Sequence, residues 1–329
     1  MIISRTPFRI SFVGGGSDMS TFYEKHRGAV LSTSINKYMY ISSHRFFNKH
    51  QIQVKYSRTE TVGNLDELQH PLLREALRKT GITGGIEISS IADIPAGTGM
   101  GSSSSFTVGL LHNLYAINRK YVSHEELARE ACEIEIDILK EPIGKQDQYA
   151  AAYGGLNVIY FNQNGSVQVE PLYIKQSVYR ALEENLIMFY VGNQRKASNI
   201  LAEQKKNASQ ADKHTILCEM VALVDEMRDT LYAEDLSRFG TLLHQNWTLK
   251  QKLASKISND EINDVYNAGL KNGATGGKLL GAGGGGFMLF YCEKEKQASL
   301  IEALKKYPTF DFKFERDGSK IIYFADEYN

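Results

Sequence analysis

The sequence has few cysteines and no excess of charge of either sign. Cys132, Cys218 and Cys292 lie far apart and form no CxxC pair, which argues against a disulfide framework and against a zinc site. Lysine and arginine together number 38, and so do aspartate and glutamate. Proteins that bind nucleic acid or acidic membranes usually carry a basic excess, so we expect neither partner. A function on small molecules is favoured.

Signs of export and of membrane insertion are also absent from the sequence. The segment MIISRTPFRISFVGGGSD contains no positive stretch followed by an apolar run. No apolar stretch approaches the roughly 20 residues of a membrane-spanning helix. Repeats and low-complexity tracts are missing too. We therefore expect a cytoplasmic protein, whose 329 residues are enough for two domains.

Apolar patterning predicts both strands and helices in each half of the chain, an α+β protein. Strand-like segments are PFRISFVGG, VKYS, GGIEISSI, LNVIYF, LIMFYVG, FMLFYC, FDFKF and IIYF. Helical patterns cover about 102–118, 124–140, 197–270 and 295–306. A boundary near residue 178 gives two predicted domains, 1–178 and 179–329.

The segment PAGTGMGSSSS, residues 95–105 and here called the serine loop, places three glycines and four serines before a helical pattern. Glycine permits positive φ and close approach of a ligand. The unpaired N–H groups of a helix N-terminus attract anions such as nucleotide phosphates. A capped turn with spare serines is the alternative. The predicted nucleotide-binding residues are Gly97, Thr98, Gly99, Met100, Gly101, Ser102, Ser103 and Ser104.

Two other glycine-rich stretches do not match familiar nucleotide motifs. GATGGKLL lacks the GxxxxGK[ST] spacing of a P-loop. GAGGGG at 281–286, here called the glycine turn, satisfies GxGxxG, but the run FMLFYC after it predicts a strand where a dinucleotide fold needs a helix. We therefore expect a tight turn that backbone or ligand approaches closely.

Three segments together resemble one family of enzymes. RISFVGGGSD, PAGTGMGSSSS and KLLGAGGGGF resemble, in order and spacing, the three motifs of the GHMP small-molecule kinases, which include galactokinase and mevalonate kinase. Within that superfamily, RTPFRISFVGGGSDMSTFY, GKQDQYAAAYGGLN and KLLGAGGGGF are most similar to bacterial D-glycero-D-manno-heptose 7-phosphate kinases.

This resemblance implies a fold and a reaction. The expected fold has an N-terminal ribosomal-S5-like domain and a C-terminal ferredoxin-like domain. ATP and Mg²⁺ would serve phosphate transfer to the anomeric hydroxyl of a heptose phosphate. The oligomeric state stays open, and a homodimer is one outcome.

The resemblance also implies roles for particular residues. Asp147 in GKQDQ would accept the proton of the sugar hydroxyl, and Arg9 would stand near the transferred phosphate. Asp18 would bind sugar hydroxyls. The alternative roles are a helix-capping residue for Asp147, a surface ion pair for Arg9 and a turn residue for Asp18. Lys145 could act on Asp147 or be merely solvated. The substrate-binding prediction further includes Gly15, Gly16, Ser17, Gly283 and Gly284.

Glu133 and Glu135 compete for the role of metal ligand. With Leu127 at zero and about 100° per residue, Glu135 falls near 80°, between Ala131 and Leu139 on the apolar face. Glu133 falls near 240°, on the polar side. A carboxylate on a packed face needs a partner, so Glu135 is the predicted Mg²⁺ ligand together with Ser103 or Ser104. A buried ion pair is the alternative.

If the sugar acceptor carries a phosphate, the binding site also needs a cation, remote from Asp147, that binds this phosphate. Arg195, where the chain turns into a helix after LIMFYVG, is the candidate, and a structural ion pair is its alternative. Two other functions stay open. One is a kinase for galactose, fucose or another hexose, and the other is a catalytically silent sensor of sugar and ATP.

Overall fold

The computed structural model describes residues 1–192, 197–208 and 210–325, with backbone alone for 197–199. The strands are β1 (Ile2–Val13), β2 (Gly28–Arg45), β3 (Ile52–Lys55), β4 (Thr59–Val62), β5 (Ile86–Ala92), β6 (Leu156–Phe161), β7 (Val167–Pro171), β8 (Leu186–Gly192), β9 (Ala274–Leu279), β10 (Gly286–Cys292), β11 (Phe314–Glu315) and β12 (Lys320–Phe324). The helices are α1 (Ser20–Tyr23), α2 (Pro71–Thr80), α3 (Ser102–Ile117), α4 (His124–Cys132), α5 (Gln146–Tyr153), α6 (Gln176–Glu184), α7 (Ala197–Asn207), α8 (Ala211–Tyr232), α9 (Leu236–Lys250), α10 (Asp260–Lys271) and α11 (Gln297–Ala303). The α+β prediction is confirmed.

The long strand β2 organises the larger sheet. It pairs antiparallel with β1 on one side, while on its other side residues 28–33 pair with β6 and residues 39–45 pair with β5. Nearly every side chain of β1 is buried, so the strand is covered on both faces. The buried helix α3 packs against β1 and β2. This packing fixes the middle of β1 beside the start of α3, where the Ser105 hydroxyl donates to the carbonyl of Pro7 at 2.9 Å.

The smaller sheet has the order β8-β10-β9, and both pairs are antiparallel. Helix α9 crosses β9 at a point where both elements have glycine. A Cβ at Gly276 would lie 1.9 Å from the carbonyl oxygen of Gly240. The close packing that these glycines permit brings the C-terminal end of α9 toward the glycine turn.

Most predicted elements occur, but two differ from the prediction and several elements were not predicted, including β2, β4, β7, β9, α2, α5 and α6. The predicted strand FDFKF pairs only at Phe314–Glu315, and the predicted helix 124–140 is α4 followed by a π-helical turn at Glu133–Ile138. Sequence patterning also misses β2. Its first half buries small and hydroxyl side chains such as Thr33 on both faces, so apolar and polar residues do not alternate.

The C-terminal strands return to the first half of the chain. β11 pairs with β2, and β12 pairs with β1, both antiparallel. We keep the boundary near residue 178 as a proposal, with residues 314–324 assigned to the larger sheet. In the described part of the chain, every helix is too short or too polar to cross a membrane.

Candidate active site

A cavity of about 880 Å³ lies where the two halves of the chain meet. The first half lines it with Arg9, Asp18, Asp147 and the serine loop. The second half contributes Lys250, Lys278 and the start of the glycine turn. Several residues predicted from separate segments are therefore brought together in one concave site, as expected of a small-molecule site.

Arg9 and Asp147 form a bidentate ion pair in this cavity. The guanidinium Nε donates to Asp147 Oδ1 and Nη2 donates to Oδ2, both at 2.8 Å. Arg9 Nη1 also donates to the carbonyl of Gly99 at 2.6 Å. Arg9 is buried in β1, whereas about a quarter of the Asp147 side chain is exposed. A positioned carboxylate can thus reach a ligand while its partner stays fixed.

Asp18 lies in the turn after β1, beside the start of α5. Its carboxylate accepts hydrogen bonds from the backbone N–H groups of Gly16 at 3.1 Å and Gln146 at 3.2 Å. Burial raises the pKa of Asp18, and repulsion from Asp147 raises it further. A Cβ at Gly144 would lie 2.0 Å from Asp18 Oδ2, so only glycine leaves room for this carboxylate.

The serine loop approaches the cavity along its backbone. Gly97, Gly99 and Gly101 have φ of 80°, 88° and 74°, which glycine alone adopts freely. Gly101 is the N-cap of α3 and has no side chain that could bond to the first amides of the helix. Residues Gly97, Gly99 and Gly101 to Ser104 line the cavity. These amides are therefore available to an anion, as predicted for phosphate.

Two residues of the serine loop point away from the cavity. Thr98 is buried and its hydroxyl donates to the carbonyl of Pro95 at 3.0 Å. Met100 is buried in the main hydrophobic core. Their side chains hold the loop in place, so the predicted contact of these two residues with a nucleotide would be through their backbone.

Glu135 is fully buried in the π-helical turn after α4, behind the serine loop. Its carboxylate accepts hydrogen bonds from Ser103 at 3.1 Å, from Ser104 at 2.8 Å and from Thr107 at 2.8 Å. Gln148 also donates to it. Burial raises the pKa of Glu135, which these donors partly offset. Glu135 forms no ion pair with any described residue, whereas Glu133 pairs with Lys79 at 2.8 Å.

The glycine turn packs directly on the serine loop. A Cβ at Gly281 would lie 2.3 Å from the Cα of Gly99. Gly281 and Ala282 line the cavity, but Gly283 and Gly284 pack against Ile257 instead. The predicted close approach of backbone is present, and the two glycines predicted to bind substrate do not line the cavity.

Three further candidates differ from the prediction or lie outside the described residues. The Ser17 hydroxyl is buried and bonds to the carbonyls of Gly14 and Ala29, so it stabilises the turn and does not face the cavity. Lys145 donates to the carbonyl of Gly165 at 2.6 Å rather than pairing with Asp147. Arg195 lies outside the residues that the structure describes.

Sequence reasoning missed two buried lysines of the cavity. Lys278 in β9 donates to the carbonyls of Ser11 at 2.6 Å and Phe12 at 3.0 Å. Lys250 ends α9 and donates to the carbonyl of Gly281. A charged residue inside the buried strand ATGGKL was a usable signal for Lys278. The sequence contains no such signal for Lys250, because nothing in it distinguishes Lys250 from Lys252.

One part of the cavity wall is aromatic. Tyr56, His70 and Phe106 line it, with ring centroids 4.7 Å apart between Tyr56 and His70 and 5.1 Å between His70 and Phe106. Burial lowers the pKa of His70, so its ring is neutral at neutral pH. This part suits a flat apolar group.

Comparisons with known proteins agree with the geometry. Family models described as GHMP kinases N terminal domain and GHMP kinases C terminal match residues 69–155 and 227–308. A D-glycero-alpha-D-manno-heptose 7-phosphate kinase of Campylobacter jejuni is 30% identical over 334 residues, which cover 97% of this chain and 98% of that protein. An Arabidopsis thaliana bifunctional fucokinase/GDP-fucose pyrophosphorylase is 26% identical, over 93% of this chain and 31% of that protein.

A solved structure has the same fold. The crystal structure of a D-glycero-D-manno-heptose 1-phosphate kinase from Bacteroides thetaiotaomicron has a TM-score of 0.81 at 24% identity, covering 99% of this chain and 100% of that one. The family matches together span just over half of the chain. The chain belongs to the GHMP kinases, with their two-domain fold, and is a sugar kinase in a family that uses ATP as phosphate donor.

Proposed function

We propose that this kinase transfers the terminal phosphoryl group of ATP to the anomeric hydroxyl of D-glycero-D-manno-heptose 7-phosphate. The observation that carries the proposal is the Arg9–Asp147 pair, which lies between the anion-binding serine loop and Asp18. A phosphate donor on the loop and a hydroxyl acceptor at Asp18 would meet at this pair. Such placement is the main protein contribution to phosphoryl transfer.

The reaction assigns one task to each charged group. The acceptor hydroxyl gives its proton to the partly exposed carboxylate of Asp147 as the hydroxyl oxygen bonds to phosphorus. The bond from phosphorus to the bridging oxygen breaks, and its electron pair leaves with ADP. Arg9 holds Asp147 in position and offers positive charge to the phosphoryl oxygens. Asp18 accepts hydrogen bonds from neighbouring sugar hydroxyls.

The nucleotide would span the cavity from the serine loop to its aromatic part. Amides at the start of α3 would bind the phosphates. The base would pack against Tyr56, His70 and Phe106. Because the His70 ring is neutral, it offers an aromatic surface without charge.

Glu135, Ser103 and Ser104 offer oxygen ligands of the kind that Mg²⁺ prefers. This buried carboxylate has no cationic partner among the described residues, and two serine hydroxyls of the cavity wall bond to it. The described residues contain no cluster of three or more His, Cys, Asp or Glu side chains that could hold a metal ion, so the proposed site depends on one carboxylate and two hydroxyls. Glu135, Ser103 and Ser104 would hold the ion, which would neutralise phosphate charge. Glu135→Gln should raise the Mg²⁺ concentration for half-maximal rate, and Glu133→Gln should not.

The choice of acceptor is supported by resemblance more than by geometry. The Campylobacter jejuni relative is named for a heptose 7-phosphate, and the Bacteroides thetaiotaomicron structure is named for a heptose 1-phosphate. Both names contain a heptose phosphate. We keep Arg195 as the proposed cation for the distal phosphate, and Arg195→Ala should then lose more activity on heptose 7-phosphate than on heptose. The water-soluble substrates accord with a proposed cytoplasmic location.

A kinase for fucose or another hexose is the second candidate, because the chain is also 26% identical to a fucokinase-containing protein. The test is ADP release measured on a panel of heptose 7-phosphate, heptose, fucose, galactose and mevalonate. We expect the highest kcat/KM on heptose 7-phosphate. A preference for a plain hexose would replace the proposed acceptor, and no ADP release on any sugar would contradict the catalytic proposal itself.

A further inference from the structure

Lys250 is a buried cation on the wall of the proposed active site. It is the last residue of α9, is only 6% exposed and lines the cavity. Buried lysines need a partner, because removing an ammonium group from water is costly. The partner found here is a neutral one, the carbonyl oxygen of Gly281 in the glycine turn.

The neighbouring charged groups are better satisfied than Lys250. Arg9 is paired on two nitrogens with Asp147 and on a third with Gly99. Lys278 donates two of its three N–H groups to strand carbonyls. Among described residues, Lys250 has one hydrogen-bond acceptor, which leaves two donors of its ammonium group for a ligand.

We propose that the ammonium group of Lys250 binds oxygens of the phosphoryl group while it passes from ATP to the acceptor. This inference rests on the proposed kinase reaction and adds a catalytic residue from the second half of the chain. Lys250 stays protonated throughout, because the acceptor proton goes to Asp147 and the bridging electron pair goes to ADP. Its role is charge stabilisation in a site of low polarity.

The surroundings of Lys250 favour a phosphoryl ligand over the two nearby carboxylates. Asp147 is already paired with Arg9, and Asp18 is bonded by backbone amides. The bond to Gly281 also places Lys250 on the turn that touches Gly99 of the serine loop. The ammonium group therefore lies next to the segment that we expect to bind the phosphates.

The experiment compares kinetics of Lys250→Met, Lys250→Arg and wild type with ATP and the best acceptor of the panel. Lys250→Met keeps the length of the side chain and should lower kcat roughly 10²- to 10³-fold, as for loss of one transition-state donor. ATP affinity in equilibrium binding should change less than threefold. Lys250→Arg should recover at least tenfold of the lost kcat. Lys252→Met, an exposed position two residues away, is the control and should match wild type.

A pH profile separates this role from mere support of the glycine turn. Burial, and next the charge on Arg9, lower the pKa of Lys250 to about 8, against the opposing effects of Asp18 and Asp147. Lys278 is the other cation packed nearby. Since the charged form exists below that pKa, wild-type kcat/KM should fall above about pH 8, and Lys250→Arg should move this fall to higher pH.

Three results would overturn the inference. They are a kcat for folded Lys250→Met within threefold of wild type, an unchanged alkaline limb in Lys250→Arg, or a loss confined to ATP affinity. Thermal unfolding of each variant establishes that it is folded. If wild type itself phosphorylates no sugar, the proposed function fails first, and that outcome is recognised without any variant.

Discussion

At the residue scale, the proposed reaction centre is organised by charge pairs within the protein. Arg9 holds both oxygens of Asp147, and backbone amides hold Asp18. Groups fixed in this way need little reorganisation when charge develops, which is the usual origin of electrostatic catalysis. This arrangement destabilises the ionised form of Asp18, whose pKa is raised by burial and, to a smaller extent, by the nearby carboxylate of Asp147.

Asp147→Asn should abolish most turnover while leaving ATP bound. The amide keeps the shape and one acceptor for Arg9 but cannot take the hydroxyl proton, so kcat should fall roughly 10²- to 10⁴-fold. Equilibrium ATP binding and steady-state kinetics measure the two effects. Asp229→Asn, which breaks an exposed pair with Arg228, is the matched control. Turnover at the wild-type rate would show that Asp147 is not the base.

Glu135→Gln should stabilise the protein in the absence of ligand. Burial raises the pKa of Glu135 above 4.5. The stability that protonated Glu135 contributes is therefore fully present below pH 4.5 and is lost as the pH rises through the raised pKa. The new amide can also donate to Gln148 Oε1, a buried oxygen without a partner among described residues. Thermal unfolding at pH 8 should show a midpoint raised by roughly 1–2 °C, equivalent to about 1 kcal/mol.

The control for this prediction is Glu133→Gln. Glu133 lies in the same π-helical turn as Glu135, and its carboxylate pairs with Lys79 of α2. It should not raise the midpoint. The gain from Glu135→Gln should shrink at pH 5, where wild-type Glu135 is more fully protonated. A gain in the unfolding midpoint that is equal at both pH values, or a loss at pH 8, would mean that the ionised Glu135 carboxylate does not destabilise the fold.

Single residues were predictable where a motif or a helical face marked them. Glu135 was distinguished from Glu133 by its position on the apolar face, and the structure buries Glu135 and leaves Glu133 partly exposed. Ser17 and Met100 lie within motifs, yet their side chains serve local packing. Lys250 could not be found, because its burial depends on how α9 docks against the glycine turn.

At the scale of elements, the serine loop and the glycine turn form one unit. Gly99 and Gly281 approach so closely that neither position has room for a Cβ. Gly286 likewise packs on the carbonyl of Thr98. The conformation of the proposed phosphate-binding loop therefore depends on a turn nearly 200 residues further along the chain.

Gly281→Ala should weaken catalysis through the loop. The added Cβ would lie 2.3 Å from Gly99 Cα at a residue with φ of 77°, so the two segments must separate. Because small displacements of positioning groups are costly, kcat/KM for ATP should fall roughly 10- to 100-fold. Gly63→Ala, at a turn with no atom within 4 Å and no positive φ, is the control. Wild-type kinetics for Gly281→Ala would uncouple the turn from the loop.

Patterning predicted the elements unevenly. The helices of 102–118 and 197–270 follow a clear period and were predicted, whereas α2 and α6 were missed although each buries one face. Strands that depend on long-range pairing were missed too. β2 was missed because it is buried on both faces over its first half. FDFKF alternates like a strand, but its segment forms a ladder only at Phe314–Glu315. In both cases the neighbouring chain segments decide the structure.

At the scale of the whole molecule, the site exists only where distant parts of the chain meet. Arg9 and Asp147 come from the first half, and Lys250 and Lys278 come from the second. The C-terminal strand β12 then returns to pair with β1. A single boundary near residue 178 follows the order of the two predicted domains along the chain. It would, however, place β11 and β12 in a different domain from β2 and β1, with which they pair.

The most direct test of the account is phosphorus NMR of the product made from ATP and D-glycero-D-manno-heptose 7-phosphate. We predict one new phosphate resonance, coupled to the anomeric proton, together with ADP and the retained phosphate on carbon 7. Asp147→Asn under the same conditions should give this product at least 10²-fold more slowly. A new phosphate at any other carbon, or ADP release without phosphorylated sugar, would contradict transfer to the anomeric hydroxyl at the Arg9–Asp147 pair.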